Sequence, residues 1–367
     1  MPLTTLRVQQ VRNLADIRFT PSAHINIIHG ANGSGKSSLL EAIHILGMTR
    51  SFRTNKLRHL ISSGTEQCLV FAEVDAMATG TSQPLGVERS LEGVSRMRYA
   101  GADIDLTTLA ELLPIQVINS ETFQILEGSP AIRRAFIDWG VFHTDPLFIR
   151  LWRGFKRVLK QRNSLLKYGK IDPSMRQIWD RELVTYSEQL NSLREDYLAL
   201  LKPEFDQVLA GLLPNLEIEL GFSCGWDQKR GLDAVLADNL ERDRKQGFTS
   251  AGPQRADLRV KADGHNAAER LSRGQKKIVV SALKLAQGAL FYKLNSRACV
   301  YLIDDLPSEL DDQHSRLFCS YLEKTSNQCF ITCVDKASLS EFWSQETQLS
   351  FHEIHQGELV TQHQESL

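Results

Sequence analysis

The stretch that decides the fold is GANGSGKSS, Gly30 to Ser38. It fits G-x-x-x-x-G-K-[ST], a pattern that carries meaning only between a strand and a helix. Both flanks are present. HINIIHG reads as a short apolar strand ending on glycine, and KSSLLEAIHIL reads as a helix. Such a junction gathers backbone N–H groups and the positive end of a helix dipole around one point, which suits phosphate. Lys36 is placed to reach β- and γ-phosphates, and the Ser37 hydroxyl to ligate Mg²⁺. The expected nucleotide-binding residues are therefore Gly30, Ala31, Asn32, Gly33, Ser34, Gly35, Lys36, Ser37 and Ser38, with ATP and Mg²⁺ as the expected cofactors.

Two further motifs lie far down the chain. ACVYLIDDLPSELDD, Ala298 to Asp312, is a buried-strand run ending in two carboxylates. An acid at that position beside a phosphate loop is where Mg²⁺ binding belongs, so Asp304 is the expected second metal ligand. Asp305 stands where a general base for an attacking water is needed. LSRGQKK, Leu271 to Lys277, precedes the apolar helix IVVSALKLAQGALFYKL. Alone it reads as a serine helix cap.

The order of the set changes that reading. Phosphate loop, then L-S-x-G-Q, then apolar strand with Asp-Asp, then SELD (Ser308 to Asp311), resembles the heads of ABC-type ATPases. The resemblance implies that Ser272, Gly274 and Gln275 close over the γ-phosphate of a nucleotide held by a second subunit, and that SELD crosses that dimer interface. The catalytic set it implies is Lys36, Asp304 and Asp305.

The fold class follows as α/β, a P-loop ATPase head of mixed sheets with an inserted helical lobe. Strands alternate with turns over the first 125 residues, and strands alternate with helices near the end, which argues for a mainly parallel sheet there. The expected division is a head from 1–125 with 245–367, and a helical lobe at 126–244. In GSPAIRRAFIDWG, Ser129 is the expected cap and Pro130 the first helical residue. TDPLFIRLWRGFKRVLKQRNSLLK carries an apolar stripe of Phe148, Leu151, Trp152, Phe155, Val158, Leu159, Leu165 and Leu166 at helical spacing. After YGKIDP a second helix is expected from Asp172 and Pro173, with a stripe of Met175, Ile178, Trp179, Leu183, Tyr186, Leu190, Leu193 and Tyr197. The two read as a short antiparallel hairpin; the first is about 35 Å long at about 1.5 Å per residue.

Within the ABC-type group the chain is similar to the RecF family of bacterial recombination mediators. The resemblance rests on VRNL, the run from Ile25 to Arg53 with its basic TRSFR, GSPAIRRAFIDW, AGPQRADL, LSRGQKK and LIDDLPSELD. It implies an ATP-dependent homodimer that binds double-stranded DNA and single/double-strand junctions and hydrolyses ATP weakly. It also implies partners RecO and RecR, and a role in loading RecA at single-stranded gaps. Three departures stand out. The family's GPHRDDL loop has Gln254 and Ala256 here, with Arg255 kept. The acidic strand ends in Asp305, one methylene shorter than the glutamate of most ABC-type heads. CFITCV leads to Asp335 where transporter heads carry a histidine. The last two predict slow hydrolysis.

Bulk properties exclude some classes. The 367 residues have a net charge of −1, with 42% hydrophobic and 24% charged residues. No molecule-wide basic footprint for nucleic acid exists, so DNA contact must be local. Candidate clusters are Arg50, Arg53, Lys56 and Arg58; Arg133 and Arg134; and Arg150, Arg153, Lys156, Arg157, Lys160 and Arg162, while the resemblance to related heads implies that Arg12 approaches the nucleotide. The six cysteines show no C-x-x-C spacing and suit reduced thiols. No run is long enough to span a membrane, and MPLTTLRVQQVRN resembles no signal peptide, so a cytoplasmic location without a membrane partner is expected. A transporter subunit would share the motifs, but about 270 residues separate Lys36 from Asp304. A structural clamp of the SMC type would need far longer helical arms. A scaffold that binds nucleotide without hydrolysis stays open on the evidence of Asp305 and Asp335.

Overall fold

The computed structural model describes residues 2–54, 56–76, 81–93, 95–167 and 173–366. Among these, the chain opens with strands β1 (Leu3–Val11), β2 (Leu14–Phe19) and β3 (Ile25–His29) and helix α1 (Lys36–Met48). Strands β4 (Gln67–Ala76), β5 (Thr81–Ser90), β6 (Ser95–Tyr99) and β7 (Ala102–Asp103) follow, then α2 (Leu106–Leu112) and β8 (Ile115–Ile118). The middle holds α3 (Gln124–Glu127), α4 (Pro130–Thr144), α5 (Phe148–Lys167), α6 (Pro173–Leu212), β9 (Ile218–Ser223), α7 (Leu232–Asp238), α8 (Leu240–Gln246), β10 (Asp257–Ala262), β11 (His265–Asn266), α9 (Ala267–Arg270) and α10 (Arg273–Asn295). The end holds β12 (Val300–Ile303), α11 (Leu306–Glu309), α12 (Asp312–Glu323), β13 (Gln328–Cys333), α13 (Ala337–Ser340), β14 (Gln348–His355) and β15 (Glu358–Ser366).

Two compact units result: Met1–Thr122 with Phe291–Leu367, and Phe123–Leu290. The first contains two six-stranded sheets. One, in the order β2-β1-β4-β5-β6-β7, is antiparallel throughout. The other, β15-β14-β3-β13-β12-β8, is parallel except for β15 at its edge. Burial explains the difference. β12 and β13 are buried at every residue, as strands covered on both faces must be, whereas β1 and β2 bury only one face. Helix α1 is buried over most of its surface, from Leu39 to Gly47. Its Leu39, Leu40, Ile43 and Leu46 share one core with Leu6, Val8, Val70 and Val87 of the antiparallel sheet and Ile28, Leu302 and Phe330 of the parallel one. All six cysteines are free and buried; burial pushes the Cys68 thiol up to about 11 and that of Cys333 to about 12.

The second unit begins before the expected boundary and extends beyond it, from Phe123 to Leu290. The reason is local: β10 pairs along its length with β9, and Arg133 of α4 grips Asp257 of β10 through two hydrogen bonds of 2.6 and 3.1 Å. Residues 245–290, expected with the head, thus pack in the helical unit. Helices α5 and α6 are antiparallel, since Gly154 meets Tyr186 while Arg162 reaches back to Asp180. The expected start at Asp172 and the preceding turn fall outside the described residues. Met175 and Ile178 of the expected stripe are exposed, because they lie in the first turns of α6. Helix α6 continues past Tyr197, running 40 residues through Pro203 to Leu212. A proline forfeits one backbone hydrogen bond. Burial of Leu201, Phe205, Val208, Leu209 and Leu212 on the far side outweighs that loss. Ser129 is the residue before α4, yet its side chain makes no capping bond there.

Three arginines expected on a basic surface turn inward. Arg162 is fully buried and bonds to Asp180 (2.7 Å), Asp243 (2.9 Å) and Thr249 (2.8 Å). Arg133 is taken by Asp257, and Arg134 donates to the Ala256 carbonyl at 2.7 Å. They hold this unit together and leave the list of candidate DNA contacts.

Candidate functional site

The parallel sheet builds the site. Cys333 pairs with His29, and Ile303 with Ile331, so β3, β13 and β12 end side by side. Whatever follows those strands meets at one edge: Gly30 and its loop, Val334, and Asp304 with Asp305. The carboxyl ends of parallel strands are the usual place for ligands in such sheets.

The loop is shaped by its neighbours. Gly30 has φ of +146°, and a Cβ there would lie 2.2 Å from the Ile354 carbonyl oxygen. No side chain fits. The Lys36 ammonium spans the loop, donating to the carbonyls of Gly30 (2.7 Å) and Ala31 (3.0 Å). Ser37 Oγ donates to Asp304 Oδ1 at 2.8 Å, and Thr332 Oγ1 donates to the same oxygen at 2.8 Å. Thr332 also accepts from the Asp305 N–H at 2.8 Å. Asp305 itself lies in the left-handed region, φ 57°, and its Oδ2 accepts from Ser308 Oγ at 2.6 Å. Ser38 is tied to Asn13, whose amide reaches the Gly33 carbonyl. Lys36, Ser37, Ser38, Asp304, Asp305 and Thr332 line an open cleft of about 420 Å³ with Asn32, Gly33, Gly35, Arg53 and Ser120.

The sequence-derived residues Lys36, Ser37, Asp304 and Asp305 are thus brought together. Arg12 is not among the cleft-lining residues. It takes a positive φ and forms a two-point ion pair with Glu41, a carboxylate with no exposure that also accepts from Ser51. Arg53 approaches the same Glu41 to 3.8 Å while facing the cleft. Sequence reasoning had placed Arg53 only among basic surface residues, and Thr332 nowhere. A signal existed for Thr332: it is the single hydroxyl in the apolar run CFITCV.

The second motif lies in the other unit. Ser272 and Gln275 form a reciprocal capping box: the Ser272 N–H donates to Gln275 Oε1 (3.0 Å), and the Gln275 N–H donates to Ser272 Oγ (3.3 Å). Gly274 is exposed, and a Cβ added to it would touch nothing within 4 Å. Behind it Lys276 bonds to Glu127 at 2.7 Å. In SELD, Asp311 caps α12 by accepting from the His314 N–H at 2.9 Å, which holds its carboxyl below the usual range. In the departing loop, the Gln254 amide donates to the carbonyls of Ala251 and Thr249, and Ala256 is fully buried.

Comparison with known proteins gives a consistent picture. The profile of the RecF/RecN/SMC N terminal domain family matches residues 2–356. The DNA replication and repair protein RecF of Pseudomonas fluorescens (strain SBW25) is 47% identical over 364 residues, covering 99% of each chain. The protein of that name from Pseudomonas aeruginosa (strain LESB58) is 47% identical over 360 residues, covering 98% of this chain and 97% of that one. Among solved structures, the recombination mediator protein RecF with ATP, of the RecFOR pathway, superposes with a TM-score of 0.87 at 25% identity, covering 99% of this chain and 97% of that one. An Smc head bound to the C-winged helix domain of ScpA superposes with a TM-score of 0.63 at 15% identity over 100% of this chain and 98% of that one, a likeness of fold alone.

Proposed function

This chain belongs to the RecF family of DNA replication and repair proteins, and we propose that it is an ATP-gated dimer that acts on DNA. The observation that carries the proposal is the convergence of Lys36, Ser37, Asp304 and Thr332 at the ends of three parallel strands. Lys36 supplies the positive charge for the β- and γ-phosphates, and the loop N–H groups orient them. The Ser37 hydroxyl and Asp304 carboxylate are hard oxygen donors already in mutual contact, which fits them to hold Mg²⁺. Bound there, the ion would neutralise charge on the phosphate oxygens.

Asp305 is the proposed general base. Its carboxylate is steadied by Ser308 and its backbone by Thr332. With one methylene fewer than a glutamate, it holds an attacking water less closely, and turnover is slow. DNA-dependent hydrolysis at that low rate fits a protein in which ATP binding, more than its consumption, switches the dimer. Gly274 supports the dimer reading. It takes no left-handed φ and crowds nothing in its own unit, so neither backbone conformation nor packing there calls for a glycine in the first turn of α10. Close approach by a partner's nucleotide gives that glycine a reason. By kinship the partners are RecO and RecR, the substrate is duplex DNA and its junctions with single strands, the outcome is RecA loading at gaps, and the compartment is the cytoplasm.

Single-turnover hydrolysis with and without duplex DNA tests the proposal. Slow, DNA-stimulated hydrolysis that Asp305→Asn abolishes and Asp305→Glu accelerates is the expected result. Tight ATP binding with no hydrolysis in the wild type would favour the scaffold reading that the short Asp305 side chain keeps open.

A further inference from the structure

The charges of α5 are sorted by face. The helix, FIRLWRGFKRVLKQRNSLLK, contains no aspartate or glutamate. Its buried side is Phe148, Leu151, Phe155, Val158, Arg162 and Leu166, with Arg162 ion-paired to Asp180 and Asp243. At about 3.6 residues per turn the remaining basic residues fall on the opposite side. Arg150, Arg153, Lys156, Arg157, Lys160 and Lys167 are all exposed there.

We propose that this stripe is a docking surface for the phosphate backbone of duplex DNA. The inference rests on the DNA-acting reading above and adds a place to it. Charge complementarity argues for a polyanion: six cations along one helix face span roughly 25 Å at ~1.5 Å per residue. The choice of duplex over single strand follows from what the stripe lacks. Binding single strands draws on aromatic faces for base stacking. The one ring at the margin of this stripe, Trp152, is covered by the Lys156 ammonium 5.2 Å from its centroid. Behind the stripe, Arg162 ion-pairs with Asp180 and Asp243, which ties α5 to its unit. The stripe offers cations for phosphate contacts, which position a duplex without themselves reading its sequence.

The test is the salt dependence of duplex binding, measured by fluorescence anisotropy on the full chain with ATP. The variants are Arg153→Glu/Arg157→Glu/Lys160→Glu and its milder counterpart Arg153→Gln/Arg157→Gln/Lys160→Gln. Each phosphate contact contributes roughly 0.9 to the slope of log K against log salt. Both variants are expected to flatten the slope by about 2–3, with fluorescent-ATP binding unchanged. If the glutamate variant also lost ATP binding, the glutamine variant would decide. A glutamine variant with the wild-type slope and affinity overturns the stripe. Wild type that binds no duplex at all overturns the DNA reading beneath it. Weakened binding of single strands with duplex binding intact also contradicts the assignment.

Discussion

The phosphate loop and the LSRGQ motif each set a glycine and a serine at the start of a helix, yet they are built in opposite ways. Around Gly30–Ser38 three residues are held by their own unit: Gly30 by Ile354, Ser37 by Asp304, Ser38 by Asn13. Around Leu271–Gln275 the side chains satisfy only one another, and Gly274 faces open space. The first region is a finished half of a site. In the second, Ser272 and Gln275 cap their own helix, but nothing in that unit requires Gly274, which is what a surface made for a second molecule should look like.

That contrast can be broken at either end. The largest effect is expected at Gly30. Gly30→Ala drives a methyl into the Ile354 carbonyl and should weaken ATP binding by more than roughly a hundredfold, about 2.7 kcal/mol, in a fluorescent-nucleotide titration. Wild-type affinity would show that the loop is not shaped as described.

Acid should separate the two regions next. His352, on the strand that pairs with β3, is fully buried, bonds Asn26 through Nε2 at 3.1 Å, and has a second ring nitrogen without a partner. Burial, helped by nearby His29, holds its imidazole down at about 4. Above pH 6.5 the ring is neutral whether the chain is folded or not. Below that, the unfolded chain takes up a proton that the folded one refuses. Stability should therefore fall as pH drops from about 6.5 to about 4, by up to ~3 kcal/mol. Denaturant melts of wild type and His352→Leu measure it; identical acid profiles would remove His352 as the cause.

The smallest effect sharpens the comparison most. Gly274→Ala should raise the unfolding free energy by less than the roughly 0.5–1 kcal/mol of a mid-helix glycine, because it lies in the first turn of α10 and no clash results. The same variant should hydrolyse ATP more slowly. Stabilisation with undiminished hydrolysis would leave the glycine unexplained.

Much of this was legible in the sequence because it is written in consecutive residues. The loop, the strand QCLVFAEVDA and the acidic strand lie where pattern places them. What escaped depends on contacts between distant segments. Thr332 reaches Asp304 only because β12 and β13 are neighbours, and Arg53 enters the cleft beside a carboxylate buried in α1. The continuation of α6 through Pro203 reflects tertiary burial that no local propensity encodes. Arg162 was readable after all: it shares the helical phase of Phe155, Val158 and Leu166, and that phase marks it as buried.

The central claim is that the second motif serves another subunit's nucleotide. Its most direct test is molar mass by light scattering with ATP, with ADP and without nucleotide, for wild type and Ser272→Arg, alongside ATP binding by each. The account predicts that ATP alone doubles the mass of the wild type, and that Ser272→Arg binds ATP normally yet stays a monomer. A wild type whose mass ignores ATP, or a Ser272→Arg variant that dimerises as well as the wild type, would contradict it.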